Sequence, residues 1–167
     1  MLAIGDNILR GINFVILIIT LGITASLASG NFNNNPQVNF AVFAATFGIL
    51  FSSIYGALAN VISALAVPIV LTVIEFLNFV FTFAGGAALA TAIRVHSCSN
   101  FDYVFDNKIA QGSEGRCRKA QASTAFLFIS SFIFLASLGF QIYGVASRGA
   151  FGVGSKRASG GIPTAQV

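Results

Sequence analysis

The sequence predicts an all-α membrane protein built as a bundle of four transmembrane helices. Of its 167 residues, 56% are hydrophobic and only 8% are charged, and the mean hydropathy is +0.84. A chain of this composition has too little polar surface to fold in water, so the bilayer must be its solvent. A hydrocarbon core of roughly 30 Å requires about 20 apolar residues per helix. The segments that meet this requirement are 11–28, 38–62, 68–93 and 122–145.

The spans are assigned to one domain followed by a tail. The apolar block 38–93 is too long for one helix, and Ser63 and Pro68 divide it near its middle. Residues 1–146 therefore form a single membrane domain. Residues 147–167 are rich in Gly and Ser and carry three basic residues and no acidic one, which predicts a flexible basic tail. The first span could instead be a secretory signal, but its apolar head and its length favour a membrane span.

The second span has two faces of different composition. Small side chains recur every four residues and form what we call the packing strip: Ala44, Gly48, Ser52 and Gly56. Aromatic side chains form a separate face, the aromatic stripe: Phe40, Phe43, Phe47 and Phe51. Because small residues let neighbouring backbones approach closely in a membrane, we expect the packing strip to meet other helices. The aromatic stripe should face lipid or a partner.

The third span contains an isolated charge. Glu75 is the only charged residue between Arg10 and Arg94, and it lies about 10 Å along the helix from Pro68. An unpaired carboxylate at this depth is costly, so Glu75 should face the interior of the bundle.

Two interpretations of Glu75 remain open. It can belong to a hydrogen-bonded clasp that fixes helix register, with polar partners at similar depth: Asn78, Asn13 and Tyr55, together with Ser52 and Gln141. It can instead be the proton or cation site of a small transporter or channel. The clasp is favoured because a transport path usually contains more than one ionisable group and the predicted spans contain one.

The connection between the third and fourth spans holds both cysteines. Cys98 comes just after the third span and Cys117 just before the fourth. Antiparallel helices would place these positions side by side, and a bridge would close a loop of about 20 residues and contribute about 3 kcal/mol. Such a bridge requires an oxidising compartment. A metal site that adds His96 to the two cysteines lacks a fourth ligand at suitable spacing.

The basic residues alone do not orient the chain. Near the termini lie Arg10, Arg148, Lys156 and Arg157, and in the loop lie Arg94, Lys108, Arg116, Arg118 and Lys119. The positive-inside rule therefore gives almost a tie. The predicted disulfide places the loop outside and both termini in the cytosol. If the loop faced the cytosol, palmitoylation of the two cysteines would be the alternative.

The tail is the candidate regulatory segment. Arg148, Lys156 and Arg157 could each gain about 1 kcal/mol beside an anionic leaflet. The sequence from Lys156 to Ser159 resembles a basophilic kinase site, and a phosphate on Ser159 would oppose that attraction.

Several stretches of the chain resemble one known family. They are DNILRGIN (6–13), EFLNFVFTFAGG (75–86), RVHSCSN (94–100), KIAQGSEGRCRKAQA (108–122) and GIPTAQV (161–167). Together they resemble the fungal non-classical export protein 2 family, tetraspan proteins with a MARVEL domain. The resemblance spans the whole chain, and the loop around Cys117 is its most specific part.

The resemblance implies a location and a role. It implies a plasma-membrane protein of the furrow-like microdomains called eisosomes, linked to sphingolipid sensing and membrane organisation, with both termini cytosolic. It also implies no catalytic activity, and the residues offer no serine, histidine and carboxylate constellation. No cofactor is expected. The expected partners are membrane lipids (sphingolipid, sterol or anionic lipid), eisosome coat proteins or kinases at the cytosolic face, and further copies of the chain, but not nucleic acid.

Overall fold

The computed structural model describes residues 2–30, 35–62, 65–94 and 96–148. Its helices are α1 (Leu2–Ser29), α2 (Pro36–Phe47), a π-helical segment (Gly48–Ile54), α3 (Tyr55–Val61), α4 (Pro68–Ile93), α5 (Phe101–Asp106) and α6 (Glu114–Arg148). The π segment continues α2 directly into α3, so these three elements form the second span.

The four long helical stretches form an antiparallel bundle. Within the described ranges, the stretches long and apolar enough to cross a membrane are Gly5–Ser29, Pro36–Ala59, Pro68–Ile93 and Glu114–Ser147. The second span packs against α1 and α4, and α6 packs against the same two helices from the other side. The predicted all-α bundle of four transmembrane helices is confirmed.

Two helices are longer than their apolar segments. Helix α1 begins at Leu2 rather than at residue 11, and α6 begins at Glu114 rather than at residue 122 and ends at Arg148. The predicted bounds followed hydropathy alone, whereas a helix continues through polar residues when they pair along its surface. Asp6 and Arg10 form such a pair in α1, with Nε and Oδ2 3.0 Å apart.

Most of the predicted tail lies outside the described residues. Helix α6 continues to Arg148, two residues beyond the predicted domain boundary at 146. The side chain of Arg148, and Lys156, Arg157 and Ser159 entirely, lie outside the described part of the chain.

The bundle has an apolar exterior and an interior in which buried polar groups lie among apolar side chains. Large apolar side chains such as Phe132 and Val15 are 64% and 56% exposed, while Glu75 and Asn78 are fully buried. Lipid tails are as apolar as the side chains that face them, so helices in a membrane associate through close packing and polar contacts. Both the close packing and the interior polar groups therefore contribute to bundle stability.

All four members of the packing strip are buried. A Cβ atom at Gly48 would lie 2.8 Å from Cδ1 of Leu17 and 3.3 Å from Cζ of Phe134. A Cβ atom at Gly56 would lie 2.6 Å from Nη1 of Arg10. Gly48 thus admits side chains of α1 and α6, and Gly56 leaves room for the Arg10 guanidinium.

The aromatic stripe combines helix contact with exposure. Three of its rings contact Phe81 of α4, with ring centroids 6.5 Å away for Phe40, 5.3 Å for Phe43 and 5.0 Å for Phe47. Phe43 and Phe51 are also 45% and 41% exposed. The stripe therefore joins the second span to α4 and leaves its remaining surface exposed on the outside of the bundle.

The loop between α4 and α6 is folded onto one end of the bundle. A disulfide joins Cys98 and Cys117, whose Cα atoms are 5.7 Å apart, so the predicted bridge is confirmed. Nδ2 of Asn107 donates to the carbonyl of Ala92 at 3.0 Å. Nη2 of Arg116 donates to the carbonyl of Leu27 at 3.1 Å. Arg116 lies in the first turn of α6, and its Nε also donates to the carbonyl of Ile109 in the loop at 3.1 Å. The loop is therefore attached to α4 directly and to α1 through Arg116.

The packing at Gly48 can be tested with a matched pair of substitutions. We expect Gly48→Leu to lower the free energy of unfolding by about 1 to 3 kcal/mol because the new side chain would overlap Leu17 and Phe134. Gly22→Leu is the control, since a Cβ atom there meets nothing within 4 Å. Thermal unfolding in detergent measures both, and equal melting temperatures would show that Gly48 is not a packing position.

Candidate functional site

A polar network joins all four spans inside the bundle. Nη1 of Arg10, in α1, lies 2.6 Å from Oε1 of Glu75 in α4. The same nitrogen donates to the Ser52 carbonyl at 2.9 Å and approaches the Ser52 hydroxyl at 3.2 Å. The Ser52 hydroxyl in turn donates to Oε1 of Glu75 at 3.0 Å. Three spans thus meet at one carboxylate.

The fourth span is connected through Asp6. Nε of Arg10 donates to Oδ2 of Asp6 at 3.0 Å, and Nε2 of Gln141 in α6 donates to the same oxygen at 3.0 Å. Asp6, Arg10, Ser52, Glu75 and Gln141 are called the polar network below.

The polar network lies at one level of the bundle. Glu75 is seven residues from the start of α4, and Gln141 is seven residues from the end of α6, which is about 10 Å in each helix. These helix ends lie on the same side as the chain termini, opposite the disulfide loop. The network therefore lies in the half of the membrane nearest the termini.

The second span is adapted to this contact. Ser52 lies within the π segment, where the N–H of Tyr55 bonds to the Leu50 carbonyl, five residues earlier. A π-helical turn is wider than an α-helical turn and occurs frequently at functional sites. One turn further on, Gly56 has no side chain, and the Arg10 guanidinium occupies that space. The π segment was not predicted from the sequence.

The central charges are removed from solvent and from lipid. Glu75 is fully buried and Arg10 is only 7% exposed. A buried pair of this kind adds little net stability compared with well-packed apolar residues, but removing one partner leaves an uncompensated charge at a cost of about 3 to 5 kcal/mol. The pair is therefore best suited to fixing which helices meet and in which register.

The expectation that the bundle contains a single ionisable group was wrong. Asp6 and Arg10 join Glu75 because α1 begins at Leu2 and carries both residues into the bundle. A sequence signal for Arg10 existed. The buried residues of α1 recur at alternating spacings of three and four: Arg10, Asn13, Leu17, Thr20, Thr24 and Leu27. Arg10 continues this buried face, and hydropathy averaging did not detect it.

Asn13, Asn78 and Tyr55 were predicted to join Glu75 in the clasp, but none of them forms a hydrogen bond with it. Asn13 and Asn78 are 2% and 0% exposed, each three residues beyond Arg10 or Glu75, and their side-chain amides have no hydrogen-bond partner among the described residues. Oε2 of Glu75 is likewise buried without such a partner. Tyr55 lies outside the network, because its hydroxyl donates to the Leu65 carbonyl at 3.1 Å.

The residues weighed for metal binding do not come together. Both cysteines are in the disulfide, and the ring of His96 packs beside Tyr103 with centroids 4.7 Å apart. Among the described residues, no group of three or more His, Cys, Asp or Glu side chains could hold a metal ion.

The fold and the polar network define a multi-pass membrane protein with a four-helix membrane-associating domain. The family model for MARVEL, described as a membrane-associating domain, matches residues 2–140. The chain is 50% identical over 169 residues to Non-classical export protein 2 of Saccharomyces cerevisiae and 59% identical over 166 residues to Non-classical export protein 102 of Candida albicans. Each alignment covers 98% of both chains.

A further Saccharomyces cerevisiae relative, Non-classical export protein 2 homolog 1, is 42% identical over 170 residues and is covered to the same extent. The chain therefore belongs to the non-classical export protein 2 family of MARVEL-domain proteins, as the resemblance predicted. No solved structure matches the chain.

A double-mutant cycle tests the central pair. We expect Arg10→Met and Glu75→Leu each to lower the free energy of unfolding by about 3 kcal/mol, because each leaves the other charge buried. The double variant should lose clearly less than the sum of the two, whereas Glu75→Gln should lose less than Glu75→Leu because its amide still accepts from Ser52. Unfolding in detergent measures all four, and strictly additive losses would argue against the pair.

Proposed function

We propose that this protein is a non-enzymatic organiser of eisosome-type microdomains in the plasma membrane, linked to sphingolipid sensing and to non-classical export. The export role is suggested by the names of the relatives. The microdomain and sphingolipid roles rest on the family resemblance. The protein's own contribution is a bundle of fixed helix register that presents defined surfaces to lipid and to other proteins.

The observation that best supports an organiser is that the polar network connects all four spans. Its guanidinium and carboxylates bond to one another and to Ser52 and Gln141, on all four spans. Groups engaged in this way hold helices in position. Exposed apolar side chains of α1 and α6, among them Ile142 at 54%, leave broad surfaces for lipid or for further copies of the chain.

The disulfide supports the proposed orientation. A stable disulfide requires an oxidising compartment, so the Cys98–Cys117 bridge favours a loop outside the cell and both termini in the cytosol. Arg10 pairs within the bundle, which leaves three basic residues near the termini against five in the loop, so the proposed orientation rests on the disulfide and not on the charge rule. In this orientation the polar network lies in the cytosolic half of the membrane, and the tail can reach coat proteins or kinases.

A small proton-coupled transporter or channel is the second candidate. It is favoured by the buried polar atoms of Asn13, Asn78 and Glu75 Oε2 that lack a partner among the described residues. Together with three ionisable side chains, these atoms could line a path for protons. The two candidates differ in whether Glu75 must ionise.

Proton flux and microdomain assembly separate the two candidates. An organiser should give no ion- or substrate-dependent proton flux in proteoliposomes, and Glu75→Gln should still form membrane patches because the amide can replace the hydrogen bond from Ser52. Flux that disappears in Glu75→Gln, with the fold retained, would establish transport. Fluorescence imaging of patches in living cells and a pH-sensitive dye in the liposomes provide the two measurements.

The tail provides a second test of the organiser. Three basic residues could hold it to an anionic leaflet by roughly 3 kcal/mol in total, and a phosphate on Ser159 would offset most of this attraction. We expect Ser159→Asp to redistribute the protein between patches and the surrounding membrane, while Ser159→Ala does not. Deleting residues 160–167 should leave insertion intact but disrupt patches. Normal patches in the truncated chain would place the function in the helices instead.

A further inference from the structure

A polar cleft lies on the loop face, at the opposite end of the bundle from the polar network. Its volume is about 720 Å³, within the range of about 300 to 1,000 Å³ that is typical of small-molecule sites. It is bounded by the start of α2, the last turn of α4 and the segment that follows α5. We call this feature the loop cleft.

The loop cleft carries more positive than negative charge. Arg94 and Lys108 line it together with a single acid, Asp106, and within the described residues none of the three forms an ion pair. The N-terminus of α2 begins at Pro36 in the same wall. A helix N-terminus supplies backbone N–H groups and partial positive charge. These groups favour an anion.

A buried acceptor also faces this site. Asn35 lines the cleft and is only 7% exposed, and its Oδ1 has no hydrogen-bond partner among the described residues. Its Nδ2 is directed to the carbonyl of Lys108 at 3.5 Å, which leaves Oδ1 as the acceptor. A ligand that donates, such as one with a hydroxyl group, would satisfy this acceptor. A simple anion without a hydroxyl group, such as sulfate, would satisfy the cations but not Asn35.

An aromatic wall completes the cleft. Tyr103 and His96 both line it, with their ring centroids 4.7 Å apart. Burial raises the pKa of the Tyr103 phenol above its ordinary value, although the Arg94 charge opposes the shift. The hydroxyl therefore stays protonated at neutral pH, and it already accepts from Nδ2 of Asn107 at 3.1 Å. Its proton remains available to a ligand.

From these features we propose that the loop cleft binds a phosphorylated ring polyol. Arg94 and Lys108 contact the phosphate, Asn35 and Asp106 accept from ring hydroxyls, and the ring lies against Tyr103. This site goes beyond the proposed function, because binding to purified protein can fail while microdomain assembly is unaffected, and the reverse also holds.

The ligand could be a lipid headgroup or a soluble molecule, since both present the same chemistry. Thr91 and Ala92, in the last turn of α4, form part of the cleft, so a headgroup at the membrane surface can reach it. The purified full-length protein in detergent is incubated with equal amounts of phosphatidylinositol or phosphatidylglycerol, and native mass spectrometry counts bound lipid. Inositol 1-phosphate and inorganic phosphate are titrated separately by calorimetry into protein in phosphatidylcholine nanodiscs.

Matched variants connect the binding to the cleft. We expect Arg94→Gln with Lys108→Gln to weaken binding about tenfold or more, because two charge-assisted hydrogen bonds are lost. Arg118→Gln with Lys119→Gln removes the same charge from the loop face outside the cleft and should leave binding unchanged. Asn35→Asp keeps the side-chain shape and suits a helix N-cap, but its negative charge should also weaken binding. Thermal unfolding checks that each variant is folded.

Each outcome decides the proposal. If the protein prefers phosphatidylinositol to phosphatidylglycerol and both cleft variants lose this preference, the site is supported and its ligand is a lipid headgroup. If the protein binds inositol 1-phosphate but does not retain the lipid, the site is supported and its ligand is a soluble molecule. Four results would each overturn the proposal. They are equal binding of phosphatidylinositol and phosphatidylglycerol, the same loss of binding in the Arg118 and Lys119 control as in the cleft variants, the same affinity for inorganic phosphate as for inositol 1-phosphate, and no binding of any probe.

Discussion

The requirement to pair charge inside the hydrocarbon core organises this protein. Glu75 and Arg10 are on different spans and are both buried. Each charge can therefore be paired only when α1 and α4 have one particular register along the bundle axis. Ser52 adds the second span to the same carboxylate, and Asp6 adds α6 through Gln141. One constraint therefore sets the register of four helices, which nonspecific apolar contact with lipid could not do.

The surrounding backbone is arranged to accommodate this pair. Gly56 leaves space that a side chain would take from the Arg10 guanidinium, and the π segment places Ser52 where its hydroxyl and carbonyl both contact that guanidinium. The packing strip thus has two roles along its length. At Gly48 it admits Leu17 and Phe134, and at Gly56 it admits a charge.

The sequence predicts the parts of this structure that depend on local composition. Long apolar runs define the spans. The disulfide follows from the positions of Cys98 and Cys117, because antiparallel helices bring the ends of the third and fourth spans together. Arg10 was missed because hydropathy placed it at the interface, although its spacing from Asn13 and Leu17 marks the buried face. The loop cleft could not be predicted, because Asn35 and Arg94 are far apart in sequence and line one cleft only in the folded chain.

The polar network and the loop cleft lie near opposite ends of α4, but this does not make them conformationally coupled. Arg94 directly follows α4, and Glu75 lies 19 residues earlier, a separation of about 28 Å along the axis. Coupling between such sites requires an element with two discrete arrangements. Sliding α4 by one helical turn, about 5.4 Å, would break its contacts with Arg10 and Ser52 and leave charge unpaired. The polar network therefore opposes transmission along α4, and a ligand in the loop cleft would act by changing the surface at its own face of the membrane.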